Sequence, residues 1–287
     1  MTRIGNVIID PSLQPKIMGI INLSPESFYK KSVKLDPDEI QDTVLRMQQD
    51  GAGIIDIGGM STAPYLKATI PIDLEIERLK NAVSIIRQIS EIPISIDTVR
   101  SDVIKSLSRY DINALNDVTG LKYDKRMPMV ISDMGLPVIL GAYRINRDSL
   151  HSYCGDIGDT INLLIESIKI AKNFKIDEEK IIVDPSVGFF RKEGNNNFFS
   201  KIDGIDWYIR DLDIVSNIKL LSSIGVPSCI SISRKSFMGY LFDLDVEERL
   251  IPSIIAEIHC VNNGVSLIRT HNVKETRLSI NMIKLLN

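Results

Sequence analysis

A repeating pattern of apolar and polar positions begins after Pro15 and continues to the end of the chain. Each repeat has an apolar run of five to eight residues, a polar exit and a segment whose apolar residues recur at helical spacing. The runs predicted to form strands lie at 16–23, 53–59, 93–98, 114–118, 136–142, 180–185, 230–237 and 266–271. The predicted helices lie at 37–50, 72–90, 100–109, 125–134, 157–174, 206–223, 246–263 and 273–286.

Strands that read as almost continuous apolar runs between helices indicate a parallel sheet covered on both faces. Eight such units in about 270 residues predict an α/β fold of the (β/α)8 TIM barrel type. A short N-terminal β-hairpin is predicted at 3–9, with Gly5 and Asn6 in its turn. No G-x-G-x-x-G follows a predicted strand, which argues against a dinucleotide-binding half. No Pro- or Ser-rich linker divides the chain, so we expect one domain, 1–287, with a mobile polar loop at 191–204.

The composition is that of an ordinary globular protein with a weak net charge. A formal charge of −3 argues against a general binder of nucleic acid or of a membrane surface, because neither polyanion would be attracted. No run approaches the roughly 18 apolar residues of a membrane span. Cys154, Cys229 and Cys260 are an odd number without close spacing. This pattern fits a reducing cytoplasm and provides no metal motif.

In a TIM barrel the active site lies at the carboxyl ends of the strands. Polar residues occupy these positions in each predicted unit: Asn22, Asp56, Asp97, Asn116, Asp117, Arg144, Asp184, Lys235, Arg269 and His271. Asp97 and Asp184 stand among apolar neighbours, where an unpaired carboxylate is costly, so each needs a donor. Two carboxylates, an amide and a lysine can bind a flat heterocycle that presents N–H groups and a carbonyl oxygen.

Arg269, His271 and Asn22 stand at neighbouring strand ends and suit a phosphate group. Segment 230–237, ISISRKSF, places two cations and two hydroxyls at the exit of the seventh strand. Such groups are costly to desolvate unless an anionic or polar partner meets them. The alternative is that the inner polar side chains only pair with one another, and that 230–237 is a solvated turn.

Seven motifs resemble those of the dihydropteroate synthase family, within the larger group of pterin-binding barrels. They are IMGIINLSPESF at 17–28, GAGIIDIGGMST at 51–62, PISIDT at 93–98, ND at 116–117, VDPSVGF at 183–189, SRKSF at 233–237 and RTH at 269–271. The motifs follow the order and spacing of that family over almost the whole chain. The fold of the family agrees with the barrel that the pattern predicts.

The resemblance implies a transferase of folate biosynthesis. It would join 7,8-dihydropterin-6-ylmethyl diphosphate to the amine of 4-aminobenzoate and release diphosphate. The implied pterin pocket consists of Asp97, Asn116, Asp184, Phe189 and Lys235. The implied diphosphate site consists of Asn22, Arg269 and His271, with Mg²⁺ as cofactor on Asn22. The implied catalytic residues are Asp97, Lys235, Arg269 and His271.

On the second-substrate side the resemblance implies Phe28, Thr62, Pro64 and Ser236. Ser236 would receive the benzoate carboxylate at the amino end of a helix, and Arg234 would only brace the loop. Members of the family pair as dimers, so a homodimer is expected through the last two helices. The apolar residues that would form it are Ile254, Ile255, Ile258, Ile280 and Ile283.

Four positions depart from the family pattern. The first loop, 25–32, reads PESFYKKS where PDSFSDGG is usual, and 60–64 reads MSTAP where ESTRP is usual. The fifth strand ends GAYR at 141–144 instead of M-H-x-R, and Asn272 stands where Asp is commoner. One explanation is that Lys30 or Lys31 replaces the lost loop arginine over the diphosphate.

Another explanation is a different second substrate, such as the ribosylated aniline phosphate of archaeal relatives that make methanopterin-type cofactors. Two further alternatives remain from the sequence. One is a pterin-binding methyltransferase of corrinoid pathways, and the other is a paralogue that binds pterin without turnover.

Overall fold

The computed structural model describes residues 1–25, 29, 31, 33–34, 36–67, 69–145 and 155–286. The strands in these ranges are β1 (Thr2–Ile4), β2 (Val7–Ile9), β3 (Lys16–Asn22), β4 (Ile54–Gly58), β5 (Ile94–Asp97), β6 (Ala114–Asp117), β7 (Val138–Gly141), β8 (Ile181–Asp184), β9 (Phe190–Arg191), β10 (Ser200–Lys201), β11 (Cys229–Ile230) and β12 (Leu267–Thr270). The α-helices are α1 (Pro37–Asp50), α2 (Ile72–Ile89), α3 (Ser101–Ser106), α4 (Met127–Met134), α5 (Ile157–Asn173), α6 (Trp207–Ser216), α7 (Ser236–Phe242), α8 (Leu250–Asn262) and α9 (Val273–Leu286). Short 3-10 helices lie at Glu178–Lys180, Ile218–Ile224 and Val246–Arg249.

The order of the strands confirms the predicted TIM barrel. Strands β3 to β8 pair in parallel in chain order, and β12 lies between β11 and β3. The ring closes between β8 and β11, where Val183 forms a parallel bridge with Ser228 and donates its N–H to the carbonyl of Pro227 at 3.0 Å. Because the eight strands run the same way, all their carboxyl ends meet on one face of the barrel.

The predicted N-terminal hairpin is also present, and it covers the amino end of the barrel. Strands β1 and β2 pair antiparallel, with Gly5 in the turn at a φ of +56°. Ile4 and Ile9 are fully buried in one apolar cluster with barrel residues such as Met18 and Ile182. The hairpin therefore closes the end opposite to the predicted site.

Local sequence explains the bounds of α1, which match the predicted 37–50. The Asp36 side chain accepts hydrogen bonds from the N–H groups of Asp38 and Glu39, and Pro37 follows at the first helical position. Gly51 ends the helix in the left-handed region, at a φ of +105°. The start and stop signals lie in the sequence itself, so this helix was predictable.

Two later units differ from the predicted pattern. In the sixth, α6 ends at Ser216, because the Asn217 side chain donates back to the carbonyl of Asp213, and a 3-10 helix follows. In the seventh, β11 is only two residues long, and α7 begins at Ser236 within the stretch predicted as strand and exit. The backbone leaves the sheet near Arg234, which has a φ of +55° and donates its N–H to Ser253 Oγ at 2.8 Å.

The segment predicted as a mobile polar loop, 191–204, contains structure that the prediction missed. Strands β9 and β10 pair in parallel at its two ends. Phe198 and Ile202 are buried within it, and Asn196 accepts a hydrogen bond from the N–H of Phe198. The segment is therefore packed against the barrel rather than extended into solvent.

Two of the three cysteines, Cys229 and Cys260, are buried free thiols. The third, Cys154, lies outside the described residues. Within the described residues, no helix has both the length and the apolar character needed to span a membrane.

Candidate functional site

A cavity opens at the carboxyl ends of the strands, where the sequence predicts the site. Its wall comes from the ends of β3, β5 and β12, from 60–65 and 188–189, and from 231–236. Nine predicted site residues line it: Asn22, Thr62, Pro64, Asp97, Phe189, Lys235, Ser236, Arg269 and His271. Asn116 and Asp184 stand at the ends of β6 and β8, and Phe28 lies outside the described residues. The structure thus brings most of the predicted residues together.

Arg269 lies between two carboxylates at the floor of this cavity. Its Nε donates to Asp56 Oδ2 at 2.6 Å, and its Nη2 donates to Asp97 Oδ2 at 2.8 Å. Asn116 donates to the same Asp56 oxygen at 3.0 Å. The donor that Asp97 was predicted to need is therefore Arg269, and here the inner polar residues do pair with one another. The role of Arg269 at a diphosphate stays a prediction.

Burial and the neighbouring charges shift the pKa values of Asp97 and Arg269. Burial, opposed by the Arg269 charge, raises the pKa of Asp97 to about 7. Although burial disfavours its charge, Asp56 and Asp97 together raise the pKa of Arg269. Arg269 is therefore always a cation, while Asp97 can change charge near neutral pH.

Lys235 is the second cation of the cavity. Burial lowers its pKa to about 8, opposed by the charge of Asp184. Its Nζ lies 4.5 Å from the centroid of the Phe189 ring. Gly188 is required beside it, because a Cβ there would come within 2.9 Å of Lys235 Cδ and the backbone φ is +85°. Burial also raises the pKa of Asp184, which accepts the N–H of Ser186 at 2.7 Å.

His271 stands at the rim beside β12. Its Nδ1 lies 3.2 Å from Ser233 Oγ, and its ring meets that of Tyr29 edge-on at 5.0 Å between centroids. Burial, together with the charges of Arg269 and other nearby cations, lowers the pKa of His271 well below its usual value. The imidazole is therefore neutral at physiological pH, and its predicted role at an anion would be that of a neutral hydrogen-bond donor.

Arg234 holds the loop around the site and does not line the cavity. Its Nη1 donates to the carbonyls of Val246 and Glu247, each at 2.9 Å, and its Nη2 donates to Asn272 Oδ1 at 2.9 Å. The prediction that Arg234 braces the loop is confirmed. Asn272, which replaces the usual Asp, serves as the acceptor for this arginine.

Asp117 and Arg144 stand at strand ends but make structural contacts. Asp117 accepts from the backbone N–H groups of Thr119 and Leu121, at 2.8 and 2.9 Å, and so caps its own turn. Burial raises its pKa to about 6. The N–H of Arg144 donates to Ser200 Oγ at 2.8 Å. Each of these hydrogen bonds joins two groups of the protein and stabilises the fold.

Lys31 was one of two lysines proposed to replace the lost loop arginine. Its Nζ lies 2.7 Å from Glu247 Oε2, and both side chains are exposed to solvent. Lys30, the other candidate, lies outside the described residues. Lys31 is therefore an exposed lysine that forms an ion pair on the surface.

The segment between β9 and β10 holds the loop that carries Thr62 and Pro64, which are predicted to contact the second substrate. The N–H of Asn195 donates to the carbonyl of Pro64, and Asn196 Nδ2 donates to that of Ala63, both at 2.7 Å. These bonds fix the loop that carries Thr62 and Pro64. Sequence reasoning missed this clamp, because a run of Asn, Gly and Lys reads as solvated loop.

Arg191 is a further residue that the motifs did not single out. It lies in β9, at the start of segment 190–201, which runs from β9 to β10. Its Nη2 donates to Ser236 Oγ at 2.6 Å. The side chain is only 9% exposed, so this contact is fixed by packing. An arginine at the start of a polar stretch gives no signal in the sequence, because such residues are usually solvated.

Divalent metal would find few protein ligands here. Within the described residues, no group of three or more His, Cys, Asp or Glu side chains could hold a metal ion. Asn22 supplies one amide oxygen in the cavity. Mg²⁺ keeps several waters and binds through one or two protein oxygens plus substrate phosphates, so this sparse donor set fits it.

Comparison with known proteins places the chain in a family. The family of pterin binding enzymes matches residues 18–271. The dihydropteroate synthase of Clostridium beijerinckii is 31% identical over 281 residues, which cover 98% of this chain and 97% of that protein. The dihydropteroate synthase of Bacillus subtilis is 30% identical over 275 residues, which cover 94% and 88% of the two chains.

A solved structure of similar shape supports the same assignment. The dihydropteroate synthase of Coxiella burnetii in complex with pteroic acid superimposes with a TM-score of 0.81 at 29% identity, and covers 95% of this chain and 93% of that one. Sequence and fold thus agree over nearly the whole length. The chain belongs to the pterin-binding enzymes and, within them, to the dihydropteroate synthase family.

Proposed function

We propose that this chain joins 7,8-dihydropterin-6-ylmethyl diphosphate to 4-aminobenzoate, with release of diphosphate, in folate biosynthesis. One observation carries the proposal. A single cavity holds the polar floor of Asp97 and Lys235 beside the hydroxyls of Thr62 and Ser236. Two substrates must meet in such a reaction, and the cavity offers a different chemistry to each. The dihydropteroate synthases that the chain matches over almost its whole length support this assignment.

Pterin recognition follows from the donors and acceptors of the floor. The pterin ring presents an exocyclic amine and a ring N–H, which suit the carboxylates of Asp97 and Asp184. Its carbonyl and ring nitrogens suit the ammonium of Lys235 and the amide of Asn116. The Phe189 ring, which lies against Lys235, offers an apolar face to a flat heterocycle.

The diphosphate would lie toward Arg269 and His271. A guanidinium has five N–H donors, and the contacts of Arg269 to Asp56, Asp97 and Ser231 use its Nε, Nη2 and Nη1 once each. Donors therefore remain for an anion without loss of the carboxylate pairs. His271 adds a neutral N–H donor.

Asn22 would hold Mg²⁺ together with the diphosphate oxygens and water. When bound, this ion neutralises charge on the departing diphosphate. The protein itself also stabilises the charge of the departing diphosphate, because the Arg269 cation lies at the floor of the same cavity. Asn22 and Asp97 both line the cavity, so the metal and pterin sites adjoin.

The reaction we propose is dissociative. The bond from the pterin methylene carbon to the diphosphate oxygen breaks, and the electron pair leaves with diphosphate. The Asp97 carboxylate stabilises the resulting pterin cation, and the amine of 4-aminobenzoate then attacks the methylene and loses a proton to solvent. No nucleophilic side chain takes part. Burial raises the pKa of the Cys229 thiol far above neutral, which fits that assignment.

Pterin affinity should depend on pH in a bell shape. The floor carries both its carboxylate and its ammonium only between the pKa of Asp97, about 7, and that of Lys235, about 8. Below this window Asp97 gains a proton and stops accepting, and above it Lys235 loses its charge. Calorimetric titration of the pterin on both sides of these values measures the profile. Asp97→Asn should remove the acidic limb and leave the alkaline limb, and a flat wild-type profile would contradict the assignment.

We also propose a homodimer, supported by an apolar surface on α8 and α9. Ile280 is only 4% exposed and packs on the barrel, so the expected set of isoleucines is wrong at that position. Ile255 of the expected set is exposed, and the other exposed large apolar residues of the two helices are Ile251, Leu278, Met282, Leu285 and Leu286. Unpaired apolar patches of this kind commonly mark protein interfaces.

Ile255→Lys should turn the dimer into a monomer, because a charge in the centre of the patch cannot be desolvated cheaply. Sedimentation velocity measures the change in mass. Ile209→Lys makes the same change at an exposed residue of α6, and it should leave the dimer intact. A wild-type protein that sediments as a monomer at micromolar concentration would contradict the proposal.

A cytoplasmic location is part of the same proposal. The buried free thiols of Cys229 and Cys260 support it, because reduced cysteines are typical of that compartment.

The proposed activity is tested by diphosphate release. The purified protein should release diphosphate from the dihydropterin diphosphate much faster when 4-aminobenzoate is present, because the amine traps the cation that bond cleavage leaves. Calorimetry should show binding of the pterin diphosphate alone. Binding without any release in the presence of 4-aminobenzoate would contradict the proposed transferase and favour a pterin-binding protein without turnover.

A further inference from the structure

Arg191 lies behind Ser236, which lines the cavity on the proposed second-substrate side. Its Nη1 donates to the carbonyl of Phe190 at 2.7 Å, and its Nη2 donates to Ser236 Oγ at 2.6 Å. The guanidinium lies over the Trp207 ring, 4.0 Å from the centroid. These contacts fix both the plane and the direction of the guanidinium, so its charge stands behind Ser236 at a defined place.

The contact with Arg191 decides how the Ser236 hydroxyl can act. A hydroxyl has one proton to donate and two lone pairs to accept. Arg191 donates to one lone pair, so the proton of Ser236 must point elsewhere. Among the described residues no acceptor takes that proton, and Ser236 lines the cavity. The hydroxyl is therefore set as a donor toward whatever occupies the cavity, and the adjacent cation strengthens it in that role.

Charge balance around the cavity favours an anion at this end. Lys235 and Arg269 are offset by carboxylates of the floor. Among the described residues, the carboxylate that pairs with Arg191 is that of Asp211, at 3.9 Å, and it also accepts from Arg210 at 3.3 Å. Residues 60–66 contain no lysine or arginine. The positive charge at the Ser236 end is therefore only partly compensated, and Arg191 supplies it.

Segment 190–201, which carries Arg191, also contacts the loop 60–65 of the cavity wall. Asn195 and Asn196 hold the carbonyls of Pro64 and Ala63, as described above. Segment 190–201 thus provides the Arg191 cation at its start. Further along, its Asn195 and Asn196 hold the loop that carries Thr62 and Pro64. Both features serve the same side of the cavity.

We propose that Arg191 is a positioning residue that makes the site specific for an arylamine carrying an anionic group opposite its amine. Acting through the Ser236 hydroxyl, it selects a carboxylate over a neutral group. The inference rests on the proposed function, because the second substrate of that reaction is an arylamine.

The test compares Arg191→Gln and Arg191→Lys with the wild type on two acceptors of nearly equal size, 4-aminobenzoate and its neutral methyl ester. In Arg191→Gln the KM for 4-aminobenzoate should rise at least about tenfold, since hydrogen bonds to charged groups are lost. The KM for the ester and for the pterin diphosphate should stay within about twofold of wild type. Arg191→Lys, which keeps the charge, should restore part of the preference for the acid.

Lys192→Gln is the matched control, because it removes a neighbouring charge that pairs with Asp206 on the surface. It should leave both acceptors unaffected. Equal losses for acid and ester in Arg191→Gln, or an unchanged ratio, would overturn the proposal. If melting curves show that Arg191→Gln does not fold, Arg191→Lys decides: a reduced ratio of acid to ester supports the proposal, and an unchanged ratio overturns it.

Failure of the proposed function gives a different result. A wild-type protein that forms no product with either acceptor contradicts the transferase activity itself. In that case calorimetry of 4-aminobenzoate and its ester, in the presence of the pterin diphosphate, still reports on Arg191. Weaker binding of the acid alone in Arg191→Gln supports the proposal, and equal changes for both compounds overturn it.

Discussion

Replacing Lys235 with alanine should weaken binding of the dihydropterin by about 30-fold or more, which corresponds to ~2 kcal/mol. In the proposed pocket the Lys235 ammonium donates to the pterin carbonyl, and its charge also compensates the buried carboxylate of Asp184. Removal of the ammonium leaves the pterin carbonyl without this donor and the Asp184 carboxylate without this compensating charge. Asp97→Ala should have an effect of similar size, because the pterin N–H groups then lose an acceptor. Calorimetric titration of the pterin measures both losses.

Lys192→Ala is the matched control for Lys235→Ala, because this lysine is exposed and forms an ion pair on the surface with Asp206. It should leave the affinity for the pterin unchanged. Unchanged affinity in both Lys235→Ala and Asp97→Ala would refute the assignment of the pterin pocket.

Arg269→Met should lower the free energy of unfolding by about 3–5 kcal/mol at neutral pH. Arg269 is 14% exposed and pairs with Asp56 and Asp97, which are 0% and 17% exposed. Without the guanidinium two nearly buried carboxylates stand close together with no cation between them, and the pKa of Asp97 rises further. Urea unfolding of the wild type and the variant measures the loss.

The pH dependence of this loss has a definite sign. A carboxyl group whose pKa is raised in the folded protein keeps a proton that the unfolded chain releases above about pH 4. The folded variant therefore loses stability as pH rises from about 4 through the raised pKa of Asp97. The difference from wild type should be larger at alkaline than at acidic pH.

Arg126→Met provides the comparison for Arg269→Met. Arg126 pairs with Asp102 at 2.8 Å, but both side chains are largely exposed. Exposed pairs contribute little, so this variant should unfold almost like the wild type. Equal stability of Arg269→Met and Arg126→Met would show that the carboxylates of the floor do not depend on Arg269.

The barrel was predictable because its signals are local and repeated. Apolar runs, helix caps such as Asp36 and stop signals such as Gly51 define each unit without reference to the rest of the chain. The seventh unit was predicted less well. Its strand stops after Ile230 because Arg234 and Ser233 bond to groups on α8 and after β12, and these contacts are distant in sequence.

The site was predictable only in part. The strand-end rule placed Asp97, Lys235 and His271 correctly around one cavity. It could not show which polar groups pair, so the bridge from Arg269 to Asp56 and Asp97 was missed. Arg191 was missed for a related reason: its position depends on packing between 190–201 and Ser236, which no pattern along the chain records.

The central claim is the identity of the reaction, and the mass of the product tests it most directly. The protein is given the dihydropterin diphosphate with a panel of anilines that includes 4-aminobenzoate, its methyl ester and a ribosylated aniline phosphate. We predict a product with the mass of dihydropteroate from 4-aminobenzoate, formed faster than the product from any other aniline in the panel. Absence of any condensed product, or a product from the ribosylated aniline alone, would contradict the account.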